Sequence, residues 1–116
     1  MKTEMIFIDE LDMEIIFHIG QSQKENFNVI NKGSPYDLWF HAKNVSSCHV
    51  VAIIPDDIEN NEMKFIIKQG ALLCKMNTNK LKDLHNVEII YSQIQNIEKT
   101  RTPGLVNVKN EKKIII

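Results

Sequence analysis

Short apolar runs separated by polar breaks dominate the chain, at a spacing that suits strands more than helices. Met5-Ile6-Phe7-Ile8 is the first run, closed by the acidic residues Asp9, Glu10 and Asp12. Glu14-Ile15-Ile16-Phe17-His18-Ile19 is the second, and it stops at Gly20, where positive φ is tolerated. Residues 21–26 read as a polar connector, Phe27-Asn28-Val29-Ile30 resumes the apolar pattern, and Asn31-Lys32-Gly33-Ser34-Pro35 is a cluster of chain-reversing residues. The centre of the chain is Asp37-Leu38-Trp39-Phe40-His41-Ala42-Lys43 followed by Cys48-His49-Val50-Val51-Ala52-Ile53-Ile54, two strands joined by Asn44-Val45-Ser46-Ser47. Side chains alternate along a strand, so Trp39 and His41 share one face while Leu38 and Phe40 point the other way. A connector this short also sets His41 and His49 within reach of each other across the hairpin.

Beyond Pro55-Asp56-Asp57 the pattern changes to helical spacing between Ile58 and Met76. Phe65, Leu72 and Met76 form one stripe, Ile66 and Leu73 lie beside it, and Lys64, Lys68 and Lys75 fall mostly outside. Asn60 or Asn61 is the expected cap, and residues 77–79 the expected end. Gly70 inside this helix costs about 1 kcal/mol relative to Ala, which close packing on the sheet would explain. Val87-Glu88-Ile89-Ile90-Tyr91 is rich in strand formers. Ser92 to Lys99 fits either a short helical turn or an extended arm. A basic loop, Thr100-Arg101-Thr102-Pro103-Gly104, then leads to Leu105-Val106-Asn107-Val108, a turn, and a closing strand Ile114-Ile115-Ile116. Many strands around one long helix predict an α+β fold: one domain over residues 1–116, a mostly antiparallel sheet, and one main helix packed on one face. The second face of such a sheet would then be open, with Leu38, Phe40, Val50 and Ala52 in the core. Asp37, Trp39, His41 and His49 form either a binding face or a buried polar network.

Composition adds little to this picture, since 43% hydrophobic and 25% charged residues in 116 are ordinary for a globular chain. No apolar run approaches the roughly 20 residues of a membrane span, and no secretory-type leader is visible, so a cytoplasmic protein is expected. Cys48 and Cys74 read as two buried thiols. Charge is more informative. Residues 1–63 carry four lysines against eleven acids, a net −7, whereas residues 64–116 carry ten Lys and Arg against four acids, a net +6. Such asymmetry fits either a polyanion-facing side or two halves that neutralise each other.

For chemistry, the four histidines and two cysteines are scattered with no CxxC, HxxxH or HExxH spacing, so no metal and no cofactor is expected. Cys48 and His49 are adjacent in a strand and point to opposite faces, and neither a GxSxG elbow nor a glycine-rich phosphate loop is present. Catalysis is therefore not expected; an enzyme acting on peptidyl-tRNA or a nucleotide would have to work through His41 and His49 alone. Binding has the fuller kit. Trp39, His41 and His49 offer stacking and hydrogen bonds, and Lys43, Lys75, Lys99 and Arg101 offer phosphate contacts. A protein-interaction module using a sheet edge at Ile114-Ile115-Ile116 is the alternative.

Asp37-Leu38-Trp39-Phe40-His41 followed by Ser47-Cys48-His49-Val50-Val51 resembles the D-x-W-F/L-H-x…S/G-x-H-V signature of the NFACT-R domain, the RNA-binding module of ribosome quality-control proteins of the NEMF and RqcH type. Gly20 and Asn26 resemble the segment preceding that signature. Leu73-Cys74-Lys75-Met76-Asn77 is similar to the end of the family's helix, Val87 to Tyr91 to its next strand, and Lys99 to Gly104 to its basic loop. The resemblance covers roughly residues 20–116, and the stand-alone form is similar to the coiled-coil-domain protein 25 group. It implies a non-enzymatic module that binds RNA, tRNA or rRNA in a ribosome-associated setting, with DNA also open and a ribosome-associated protein as a further partner. The site residues implied are Asp37, Trp39, His41, Lys43, His49, Lys75, Lys99 and Arg101.

Overall fold

The first two apolar runs form an antiparallel hairpin, β1 (Lys2–Ile8) and β2 (Met13–Gly20), in a computed structural model that describes residues 1–116. A single 3₁₀ turn at Asp9–Leu11 and a left-handed Asp12 reverse the chain between them. The remaining elements are α1 (Gln23–Ile30), β3 (Leu38–Ala42), β4 (His49–Ala52), α2 (Met63–Met76), β5 (Glu88–Gln93), β6 (Ile97–Lys99), β7 (Val106–Val108) and β8 (Lys112–Ile115). Six strands make one sheet in the order β1-β2-β4-β3-β5-β8, antiparallel throughout, and β6 and β7 form a separate two-stranded ribbon. The fold is α+β with one main helix, as the pattern predicts.

One face of the sheet carries Phe17, Phe40, Val50, Ala52 and Ile89, and α2 closes it with Ile66, Ala71, Leu73 and Cys74. Burying an aromatic such as Phe40 or Phe17, neither of which retains exposed surface, contributes about 1.5–3 kcal/mol. The helix is rotated from its expected setting. Leu72 and Met76 point outward, and the buried stripe runs through Ile66, Gly70 and Leu73, because Gly70 lets the helix backbone sit on the Phe40 ring. A Cβ at Gly70 would lie 2.4 Å from that ring, so close packing is the reason for the glycine. The cap is also displaced. Glu59 and Glu62 form a reciprocal capping box around the turn Asn60–Glu62, ahead of α2.

The opposite face is covered, contrary to expectation. Val29 and Ile30 of α1 pack there on Trp39, Val51 and Ile90, with Ile97, Val106 and Val108 of the ribbon beside them. The expected connector at residues 21–26 is in fact the start of α1. Ser22 accepts a hydrogen bond from the Glu25 amide and the Glu25 carboxylate accepts one from the Gln21 amide, so a Ser-x-x-Glu spacing starts a helix that polarity alone conceals. Gly20 serves close approach rather than positive φ: a Cβ there would sit 2.8 Å from the Glu25 carbonyl, where α1 turns back over β2. Both readings of Ser92 to Lys99 are realised, since β5 runs on to Gln93, a turn follows at Ile94–Asn96, and β6 is extended. β8 is an edge strand, with Ile115 exposed and Lys112 and Lys113 beside it.

Candidate functional site

Strands β3 and β4 are paired so that Trp39 lies opposite Val51 and Phe40 opposite Val50, which brings His41 and His49 together one step further on. Their rings meet edge to face with centroids 4.8 Å apart. Trp39 and His41, two residues apart on the same strand face, stack in parallel at 5.7 Å, and His49 stands edge-on to Trp39 at 5.3 Å. The indole N–H of Trp39 donates to Nδ1 of His49 at 3.0 Å. An indole can only donate, so Nδ1 of His49 is the unprotonated nitrogen and its remaining proton is on Nε2.

The three rings differ sharply in access. Trp39 and His49 are each 1% exposed, while His41 is half-buried. Trp39 is therefore not a stacking platform; the ribbon β6–β7 and α1 occupy its free side, and its role is to hold His49 and back His41. Burial, with help from the neighbouring His41, pushes the His49 pKa down to about 3. His41 is also lowered, chiefly by burial. Both imidazoles are thus neutral near pH 7 and offer hydrogen bonds instead of charge.

Around these rings lies a groove of about 460 Å³. Its walls are Gln23 and Asn26 of α1, residues 44–47 of the β3–β4 connector, residues 102–105 of the β6–β7 loop, and Val106 and Val108 of β7. No Lys, Arg, Asp or Glu lines it. Each wall is fixed from behind. The Asn26 side chain accepts the His49 amide at 3.1 Å, and Ser47 Oγ accepts the Ala42 amide at 3.0 Å across the connector, which turns at a left-handed Asn44. Thr78, just after α2, accepts the Cys48 amide and donates to the Cys74 carbonyl at 2.9 Å, tying the start of β4 to the helix end. Cys48 and Cys74 are buried free thiols, as expected. The β6–β7 loop rests on Gln23, whose Cα would be 3.2 Å from a Cβ at Gly104.

The residues singled out from sequence separate into three groups. Trp39, His41 and His49 converge. Asp37 does not join them: it is buried, and its two carboxylate oxygens accept the Ser34 amide at 2.7 Å and the Ile54 amide at 2.8 Å, which pins the entry of β3 to the exit of β4. Among the cations, Arg101 is exposed next to the groove residues Thr102 and Pro103. Lys99 lies on the same side, with its ammonium donating to Asn31 at 2.8 Å and sitting 5.4 Å from the Phe27 ring of α1. Lys43 follows β3 and is half-buried, its amide bound to the Glu88 carbonyl. Lys75 is on α2, in the layer on the far side of the sheet from Trp39. Gln23, Asn44 and the wall at Thr102 to Val106 are groove residues that the site reading did not include. The Ser22-to-Glu25 capping spacing was the signal that would have placed Gln23.

Comparison with known proteins places residues 5–110 under the family model described as the NFACT protein RNA binding domain. A coiled-coil domain-containing protein 25 homolog from Dictyostelium discoideum is 28% identical over 113 residues, covering 95% of this chain and 55% of that protein. Coiled-coil domain-containing protein 25 of Danio rerio is 30% identical over 84 residues, covering 72% of this chain and 41% of the relative. The chain thus spans about half the length of these relatives. Among solved structures, the C-terminal part of the fibronectin/fibrinogen-binding protein from Streptococcus suis superposes with a TM-score of 0.79 at 23% identity, over 100% of this chain and 45% of that one. That likeness establishes the shared fold.

Proposed function

The chain belongs to the family of the NFACT protein RNA binding domain, and from that premise we propose that residues 1–116 act as one RNA-binding module whose contact centre is the groove over His41. The observation that carries this reading is the uncharged groove of about 460 Å³ with neutral imidazoles at its floor, and with Arg101 and Lys99 adjoining its wall residues Thr102 and Val106. Its size falls in the range of about 300–1,000 Å³ that small-ligand sites occupy, enough for an unstacked nucleotide. RNA readers bind such splayed nucleotides through stacking and base-edge hydrogen bonds. His41 is the half-exposed ring, and Gln23, Asn26, Asn44 and Ser46 supply donors and acceptors around it. Lys99 and Arg101 then hold the backbone, with Lys43 at the end of β3. The resemblance favours tRNA or rRNA in a ribosome-associated, cytoplasmic role, and the action is binding without catalysis.

Fluorescence anisotropy with a single-stranded RNA over a range of salt tests this. Replacing Lys99 and Arg101 by Glu removes two rim cations, so the slope of log affinity against log salt drops by about 1.4, at about 0.7 per phosphate contact on single strands. His41→Ala weakens binding without changing that slope, because the imidazole carries no charge. Absence of any anisotropy change with RNA at low salt refutes the proposal.

A further inference from the structure

Opposite the groove, α2 turns a second basic surface outward. Lys64 and Lys68 are exposed and Lys75 is half-buried, and their spacing of four and seven residues sets them along one side of the helix. At the start of this stripe a cleft of about 630 Å³ opens between α2 and the sheet. Lys64 stands on one wall and Lys112 of β8 on the other, with Asn60, Gln93, Asn96 and Asn110 between them, and no carboxylate lines the cleft. The ion pairs of the chain join the N-terminus to Glu25, Lys2 to Glu4 and Lys113 to Glu88. Lys64, Lys68, Lys75 and Lys112 have no such partner. Glu59 and Glu62 mark where the stripe ends, and the Glu62 carboxylate is occupied by the Glu59 amide.

Unpaired ammonium groups beside a cleft walled by side-chain amides fit an anion, and their arrangement in a line fits a chain of anions. From Lys64 to Lys75 the helix rises about 16 Å, a length that several consecutive phosphates of one strand of a duplex cover. The molecule is only 25 Å across its shortest axis, so an RNA with both a stem and a single-stranded tail can reach both sides. We propose that the α2 stripe and the Lys64–Lys112 cleft hold the phosphodiester backbone of a double-helical RNA segment, while the groove takes an unstacked nucleotide of the adjoining single strand. This rests on the RNA-binding reading above and adds a second, sequence-independent contact to it. It also gives Lys75 a place that the groove does not.

The test compares two probes, a stem-loop RNA with a single-stranded tail and the tail alone. The variant carries Lys64→Glu, Lys68→Glu and Lys112→Glu, with unchanged thermal melting as the check on folding. The expected result is wild-type affinity for the tail alone, and for the stem-loop a salt slope lower by about 2.7, from three duplex contacts at about 0.9 each. A stem-loop slope equal to that of the wild type overturns the proposal, and if Arg101→Glu still weakens tail binding in that case, the RNA-binding reading survives it. If the wild-type protein binds neither probe, both readings fall together.

Discussion

Acidification from pH 7 to pH 5 should remove about 2 kcal/mol of folding stability through one imidazole. His49 sits in the folded protein with a pKa of about 3, against an ordinary value of 6.5, because burial disfavours its charged form and His41 lies beside it. The hydrogen bond from Trp39 acts in the same direction, since a proton on Nδ1 would set two N–H donors against each other at 3.0 Å. Between pH 6.5 and about 3 the unfolded chain takes up a proton that the folded chain refuses. The contribution is therefore complete above the unfolded pKa and is lost as pH falls towards the folded one. Each unit of difference is worth about 1.4 kcal/mol, so the loss is about 2 kcal/mol at pH 5 and about 4–5 kcal/mol once the folded pKa is reached. Urea titrations at several pH values measure it, read by the fluorescence of Trp39, the only tryptophan in the chain and a direct neighbour of His49. Carboxylates titrate over part of the same range, so the comparison is with His49→Asn, whose side-chain oxygen can accept from the indole but cannot take up a proton. The wild type should lose about 2 kcal/mol more than this variant between pH 7 and pH 5. Parallel curves for the two proteins would refute the reasoning.

Gly70→Ala gains about 1 kcal/mol of helix propensity but drives a methyl group into the Phe40 ring, at a cost of about 1–3 kcal/mol, so thermal melting should move down. A melting temperature above that of the wild type would mean that α2 can lift off the sheet at no cost. Asp37→Asn leaves one of the two backbone amides that bond the carboxylate facing an NH₂ group and should cost about 1 kcal/mol in urea titrations, with RNA affinity of the folded protein unchanged. Lost affinity at unchanged stability would instead make Asp37 a direct contact.

Local alternation was enough to place the strands and to put Trp39, His41 and His49 on one face, because strand geometry is set by neighbours in the chain. What covers that face is decided elsewhere. Val29 and Ile30 arrive from α1, and Val106 and Val108 from a ribbon more than sixty residues downstream of Trp39, and no pattern around Trp39 itself reports their arrival. The same gap explains Asp37, whose carboxylate reads as a ligand contact until the amides of Ser34 and Ile54 are seen to converge on it. α1 was missed for a different reason. Its first turn, Gln23 to Asn26, is polar, so the hydrophobic period is too short to register, and only the capping spacing gives it away. The helix rotation about Gly70 likewise depends on one ring across the interface, Phe40, which a helical period cannot anticipate.

Strand β3 is hemmed in on all sides: paired with β4 and β5 along both edges, with Phe40 pressed against Gly70 on one face and Trp39 sealed by α1 and the ribbon on the other. A floor held in this way has no room to adapt, and substitutions in it are paid for in stability before they can alter what is bound. On the reading proposed above, ligand preference among relatives of this chain should therefore diverge through the rim, at residues 44–46 and 102–105, where loops tolerate change. The most recognisable stretch of the sequence is, on this view, the part least concerned with choosing a ligand, and the loops beside it are where one member of the family would come to differ from another.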